Sequence, residues 1–136
     1  FIQNLAFGSY NKSLENAKSI NSWICANEET VKEYDKDSLC GFIFTLNGFK
    51  NLFKLVKDVY SKKNWNINNK KLPIFFIAGE KDPVIINKKE WIKSQEFLKK
   101  LGYENIEGKL YPNLRHEILN EKENSKIYED ILNFVI

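Results

Sequence analysis

The feature that most constrains the fold of this chain is a run of five consecutive apolar residues at positions 74–78. Such a run, with Pro73 before it and Gly79 after it, is typical of a strand that is covered on both faces, as in a parallel sheet. Proline is tolerated at the start of a strand, and glycine is a common stop signal. A second short strand is indicated at positions 106–111, where it stops at Pro112. We therefore predict two strands, at 74–78 and at 106–111.

Helices are predicted between and after the two strands. Asn87 is placed to cap a helix, Glu90 stands three residues later as in a capping box, and Gly102 is a typical C-terminal stop. A final helix is predicted over residues 124–134, where the apolar residues share one face. Strand, helix, strand and helix in this order indicate a βαβ unit with a trailing helix, which belongs to the α/β class.

The first half of the chain contains an amphipathic segment at residues 39–60. Its apolar residues recur at alternating steps of four and three, which predicts a helix with one apolar face. These residues are Phe42, Leu46, Phe49, Phe53, Val56 and Tyr60. The helix either packs on a core or forms a lid over an apolar substrate pocket, and in the second case Phe42, Leu46 and Phe49 are candidate substrate-binding residues. A shorter helix is predicted at 28–34, and residues 1–22 are predicted to form a loop or a broken helix.

The composition argues against several classes of protein. A chain of 136 residues is long enough for one domain, and its 43% hydrophobic and 29% charged residues are typical of a globular protein. The net charge of +3 is mild and the lysines are scattered, so we expect no nucleic-acid partner. No apolar run is long enough to span a membrane, and the first residues do not resemble a signal peptide.

The two cysteines and the single histidine limit which metal sites the chain can form. Cys25 and Cys40 do not form a CxxC motif, and with one histidine they supply too few ligands for a zinc site. We expect reduced, packed thiols in a cytoplasmic protein. No metal and no cofactor are expected.

An acid and a histidine follow the two predicted strands. Asp82 comes three residues after Gly79, and His116, the only histidine, follows the second strand by a few residues. Ligands of open parallel sheets bind beyond the carboxyl ends of the strands, where both residues fall. A histidine oriented by a carboxylate is the pair that activates a serine or cysteine nucleophile. Each residue also has a structural interpretation, since Asp-Pro often forms a turn and a lone histidine often lies on the surface.

Three segments carry a resemblance to a known family. Residues 77–84, Ile-Ala-Gly-Glu-Lys-Asp-Pro-Val, resemble the acid-bearing segment of the α/β-hydrolase group that includes monoacylglycerol lipases, bacterial lysophospholipase-like hydrolases and serine aminopeptidases. Residues 111–121 resemble the histidine loop of that group, and residues 37–42 resemble the end of its helical cap. The resemblance implies that Asp82 is the triad acid and that His116 is the triad base.

The nucleophile of this group is missing from the sequence. In the family it stands in a G-x-S-x-G turn, and none of the eight serines of this chain lies in that motif. We therefore expect the C-terminal half of an α/β-hydrolase fold with an incomplete sheet. Residues 1–62 would form the end of the helical cap and its return helix, and residues 63–136 the βαβα part of the core. This piece alone should be inactive and should associate with its missing N-terminal half or with copies of itself.

The expected function is hydrolysis of carboxylic esters in a small lipid-like substrate, such as a lysophospholipid or a monoacylglycerol. An aminopeptidase of the same fold is the first alternative, with Glu28, Glu29 and Glu33 as candidates to bind a substrate ammonium group, although helix carboxylates are usually only solvated. The second alternative is a non-enzymatic binding module, which would require Asp82 and His116 to lie far apart or His116 to be dispensable.

Overall fold

The computed structural model describes residues 1–136, which form five α-helices and two strands. In chain order they are α1 (Ile2–Phe7), α2 (Glu28–Lys36), α3 (Leu46–Val59), β1 (Ile74–Gly79), α4 (Lys88–Leu101), β2 (Ile106–Tyr111) and α5 (Ser125–Val135). Single 3-10 turns lie at Lys62–Asn64, Pro83–Ile85 and Ile118–Asn120. None of the helices combines the length and the apolar character that crossing a membrane requires.

The two strands form a parallel pair, with α4 as the connection between them. Ile74 lies opposite Ile106, and the register continues to Gly79 opposite Tyr111. Asn87 caps α4 by accepting a hydrogen bond from the Glu90 amide. This arrangement confirms the predicted α/β class with an incomplete, two-stranded sheet.

Helices α4 and α5 cover opposite faces of the sheet, because successive strand residues point to opposite sides. Gly108 of β2 faces α4, where a Cβ would collide with the Gln95 side chain and come within 2.7 Å of the Trp91 ring. On the other face Phe75 of β1 stacks on Phe134 of α5, with ring centroids 5.0 Å apart. The sheet therefore has a helix on each side, which explains why the residues of β1 are apolar on both faces.

One edge of β1 has no partner strand. The amide of Ile74 donates to Asn105 O at 2.9 Å, and that of Glu80 donates to Tyr111 O at 2.9 Å. In a parallel pair the bonded residues of one strand alternate, so the amides of Phe75 and Ile77 point toward the opposite edge. That edge is open to another strand.

Helix α3 is shorter than predicted, because it begins at Leu46 and not near residue 39. Thr45 is its N-cap and accepts a hydrogen bond from the Gly48 amide at 3.1 Å. Gly41 has a φ of +64°, a left-handed conformation that a helix cannot continue through. Phe42 therefore lies in the extended segment before the helix and not on its apolar face.

The buried core is small for a chain of this length. Only 12 of 136 residues are buried, and the apolar ones include two separate clusters, one at Ile24, Cys25 and Val31 and one at Tyr111, Ile118 and Ile127. The accessible surface is 10128 Å², compared with about 7,400 Å² for a compact monomer of this mass. Many of the exposed large hydrophobic residues lie on the segment 39–60.

Candidate active site

Asp82 and His116 meet beyond the carboxyl ends of the two strands. The Nδ1 of His116 lies 3.0 Å from Oδ2 of Asp82. The Asp82 side chain is 7% exposed and the His116 side chain is 40% exposed, so a buried carboxylate holds a partly exposed imidazole. Because a carboxylate only accepts hydrogen bonds, Nδ1 carries the proton and Nε2 is left as the basic nitrogen.

The turn after β1 fixes Asp82 through its second oxygen. Oδ1 accepts a hydrogen bond from the Val84 amide at 2.8 Å and caps the 3-10 turn Pro83–Ile85. The Asp82 amide donates to Gly79 O at 3.2 Å. Asp82 is therefore both a turn residue and a partner of His116. Oδ1 serves the turn and Oδ2 faces the imidazole.

The histidine loop is attached directly to the end of β1. The Lys81 amide donates to Leu114 O at 2.9 Å, which continues the pairing of the strands into the two loops. A Cβ on Gly79 would collide with the carbonyl oxygens of Leu114 and Arg115. Glycine is required here because the backbone of the histidine loop passes where a side chain would stand.

The Asp82 carboxylate also sets the electrostatics of the site. Its hydrogen bond raises the pKa of His116 above the ordinary value of 6.5, burial opposes this effect, and the charges of Asp82 and Glu117 add to it. The pKa of Tyr10 is raised by burial and by the charge of Asp82. The pair is therefore poised to take up a proton at Nε2 and to stabilise the imidazolium that results.

A cavity of about 960 Å³, here called the apolar cavity, is formed by residues between Gln3 and Phe44. Ten of its 18 wall residues are hydrophobic, and the wall comes from residues 3–5, 7–9 and 11–12, from Ile20, Asn21, Trp23 and Tyr34, and from residues 39–44. Lys12 is the only charged residue of the wall, which contains no carboxylate. A cavity of this kind is suited to an apolar chain.

The three candidate substrate-binding residues occupy different environments. Phe42 lines the apolar cavity. Leu46 is 76% exposed and lies outside the wall of that cavity. Phe49 is 3% exposed, packs among other aromatic rings with the Phe44 ring centroid 5.5 Å away, and does not line the apolar cavity.

The matches to known proteins identify the family. A model of the family described as "Serine aminopeptidase, S33" matches residues 2–123. The chain belongs to the serine aminopeptidase S33 family. The resemblance seen in the acid and histidine segments is thereby confirmed.

Solved structures place this S33 chain in the same fold. A highly thermostable carboxyl esterase from Bacillus coagulans, in complex with glycerol, matches 98% of the chain with a TM-score of 0.79 and 23% identity. A lipase in its open form matches 97% of the chain with a TM-score of 0.74 and 24% identity. The chain spans 44% and 43% of the lengths of these two proteins. Among curated proteins no match is found.

Sequence reasoning missed the residues that attach the histidine loop to the first half of the S33 chain. Arg115 Nη1 donates to Ser22 O at 2.6 Å and to Cys25 O at 2.9 Å. The buried carboxylate of Glu121 accepts from the amides of Ala26 and Arg115, both at 3.0 Å. Arg115 is the only arginine in the sequence, and that rarity next to His116 was the available signal.

The cysteines of the chain are free thiols. Cys25 is fully buried, and its burial raises its pKa to about 11. A thiol of that kind is not a nucleophile at neutral pH. Nor do three or more of the His, Cys, Asp and Glu side chains converge as metal ligands would.

Proposed function

We propose that this chain carries the acid and the base of a serine hydrolase that cleaves carboxylic esters of small lipid-like substrates. The observation that carries this proposal is the 3.0 Å contact between His116 and Asp82 at the carboxyl ends of neighbouring parallel strands. A carboxylate that both orients an imidazole and stabilises its protonated form is the arrangement that activates a serine. Membership of the S33 family supports the same chemistry.

In the proposed reaction His116 carries one proton in acylation and a second proton, from water, in deacylation. Its Nε2 takes the proton of a serine hydroxyl as the serine oxygen bonds to the ester carbonyl carbon, and it gives that proton to the leaving alcohol as the ester bond breaks. A water molecule then loses a proton to Nε2 and attacks the acyl-serine. The proton returns to the serine oxygen as the carboxylic acid leaves. Asp82 stays ionised throughout and stabilises the imidazolium at Nδ1.

The nucleophile in this proposal comes from a segment outside the 136 residues. None of the eight serines stands in a G-x-S-x-G motif, and no side chain of the chain hydrogen-bonds to Nε2 of His116. The chain spans less than half of each matching esterase or lipase structure, which leaves room for such a segment. The chain alone is then inactive, because the serine and the oxyanion donors are both absent from it.

The apolar cavity favours an ester with an acyl chain as the substrate over a peptide. An aminopeptidase must bind the ammonium group of its substrate, and a nearby carboxylate is the usual partner. The cavity wall offers Lys12 and no carboxylate. The candidates Glu28, Glu29 and Glu33 do not line the cavity. On the exposed surface Glu28 pairs with Lys18 at 2.7 Å and Glu29 pairs with Lys32 at 2.8 Å.

The family description keeps the aminopeptidase as the second candidate, since the matching model is that of a serine aminopeptidase. A binding module without catalysis has less support. Of the two conditions that would allow it, a large separation of Asp82 from His116 is not found, so it would require His116 to be dispensable.

Labelling with a fluorophosphonate probe tests the proposal in the native polypeptide of the source lysate. We expect the probe to label a species larger than 16.0 kDa that yields peptides of this sequence. A His116→Gln variant should lose the label, and the neighbouring Glu117→Gln variant should keep it. Cleavage of p-nitrophenyl decanoate but not of aminoacyl p-nitroanilides would support the esterase, and the reverse would support the aminopeptidase. An unlabelled native species of 16.0 kDa would contradict both.

A further inference from the structure

One side chain stands between the apolar cavity and the histidine. Trp23 lines the cavity, and its ring centroid is 5.1 Å from that of the His116 ring, with the planes inclined at 45°. His116 itself does not line the cavity. A molecule bound in the cavity near Trp23 therefore contacts the indole, and the indole in turn contacts the imidazole of His116.

The backbone around Trp23 is fixed to the histidine loop on both sides of His116. Glu117 N donates to Ile24 O at 2.7 Å, directly after Trp23 in the sequence. Arg115 donates to the carbonyl oxygens of Ser22 and Cys25. Glu121 accepts from the Ala26 amide. These bonds join segments about ninety residues apart and set the position of the indole relative to the imidazole.

The indole of Trp23 also packs on a second aromatic ring. Tyr10 meets Trp23 edge to face, with centroids 4.9 Å apart and planes at 77°. Phe7 meets Tyr10 in the same manner at 5.5 Å and also lines the cavity. Aromatic contacts of this geometry are directional and resist rotation of the rings. The indole is thus in contact with the Tyr10 ring as well as with the imidazole of His116.

We propose that Trp23 is a positioning residue that holds the His116 imidazole against Asp82 and makes this pair respond to the occupant of the apolar cavity. The Asp82–His116 bond has one buried partner and one partner that is 40% exposed, so the imidazole needs a second support to keep its rotamer. Trp23 is the aromatic side chain that contacts the His116 ring. The occupant in question is an apolar acyl chain, and this part of the inference rests on the proposed esterase function.

The first test observes the His116 ring directly in the 136-residue chain, where it is the only histidine. A proton on Nδ1 that is bound to a buried carboxylate gives a downfield NMR resonance and exchanges slowly with water. We expect the Trp23→Leu variant to lose this resonance through exchange, and Trp23→Phe, which keeps an aromatic ring, to retain it. Trp65→Phe is the matched control, because Trp65 packs on Phe97 and Tyr103 away from the site.

The second test fills the cavity with decanol as a neutral apolar probe. We expect decanol to shift the His116 ring resonances in the wild-type chain and in Trp65→Phe, and to leave them unchanged in Trp23→Leu. The line width of decanol itself reports binding in each case. A ring that merely stabilised the fold would not make the histidine signals depend on the probe.

Two outcomes would overturn the proposal. One is a Trp23→Leu variant with the wild-type circular dichroism that keeps the downfield resonance, and the other is decanol that binds to the wild type without moving the His116 signals. If Trp23→Leu does not fold, the test uses a Trp65→Phe, Trp91→Phe double variant instead. In that variant Trp23 is the only tryptophan, so its fluorescence can be measured alone. That fluorescence should titrate with the same midpoint as His116, and a different midpoint would also overturn the proposal. None of these signals needs ester hydrolysis, so failure of the esterase assay alone would sink only the proposed function.

Discussion

The Nδ1 of His116 lies 3.0 Å from Oδ2 of Asp82, although the two residues are 34 positions apart in the sequence. Parallel pairing of β1 with β2 accounts for this contact, since both strands deliver their following loops to the same edge of the sheet. The second oxygen of Asp82 holds the turn through the Val84 amide. A single carboxylate thus shapes its own loop and orients the imidazole.

Replacement of Asp82 by asparagine should lower the pKa of His116. The side-chain oxygen of asparagine still accepts from the Val84 amide, but the charge and the acceptor that raise the histidine pKa are lost. NMR titration of the single histidine measures the change. Glu117→Gln is the control and should lower the pKa less, because Glu117 is the smallest of the causes. In the full-length enzyme kcat should fall by about four orders of magnitude.

Stability should decrease as the pH rises through the pKa of His116. A histidine with a raised pKa in the folded state contributes stability that is complete below its ordinary value of 6.5 and is lost as the pH passes the folded value. Urea unfolding at about pH 5.5 and about pH 8.5 brackets this range. Asp82→Asn should reduce the difference between the two conditions. An equal difference in both proteins would show that other groups cause it.

Replacement of Gly79 by alanine should destabilise the fold by about 3 kcal/mol. The added Cβ meets two backbone carbonyls of the histidine loop, which cannot move aside as a flexible side chain would. Gly48→Ala is the control, since its Cβ meets only side chains at 3.3 Å or more and should change stability by less than about 1 kcal/mol. Denaturant unfolding of both variants measures the contrast. Equal stability would contradict the close approach at Gly79.

The isolated chain should associate in solution. Its surface exceeds that of a compact monomer of the same mass by about 2,700 Å², and one edge of β1 is open. Light scattering after size exclusion should give a mass above 16.0 kDa. Leu55→Glu with Val59→Glu places charges on the exposed face of α3 and should weaken association if that face takes part. A stable wild-type monomer at high concentration would contradict the prediction.

The strands and helices that are specified by residues next to one another in the sequence were predicted well. The strand at 74–78 follows from an apolar run, the strand at 106–111 from its stop at Pro112, and the helix from Asn87 to Gly102 from its cap and stop signals. The predicted start of α3 was wrong. The apolar spacing of residues 39–60 continues through Gly41 and Thr45, where the backbone is not helical. Periodicity records which residues are apolar but not where the backbone changes direction.

The sequence by itself determined the α/β class, the loops that carry Asp82 and His116 and the family resemblance, because each depends on a short run of residues. Only the tertiary structure decided that Asp82 and His116 meet, and that Trp23, Arg115 and Glu121 join the first half of the chain to the histidine loop. The physical reason is that these contacts depend on how distant segments pack. No local preference of the backbone specifies that packing.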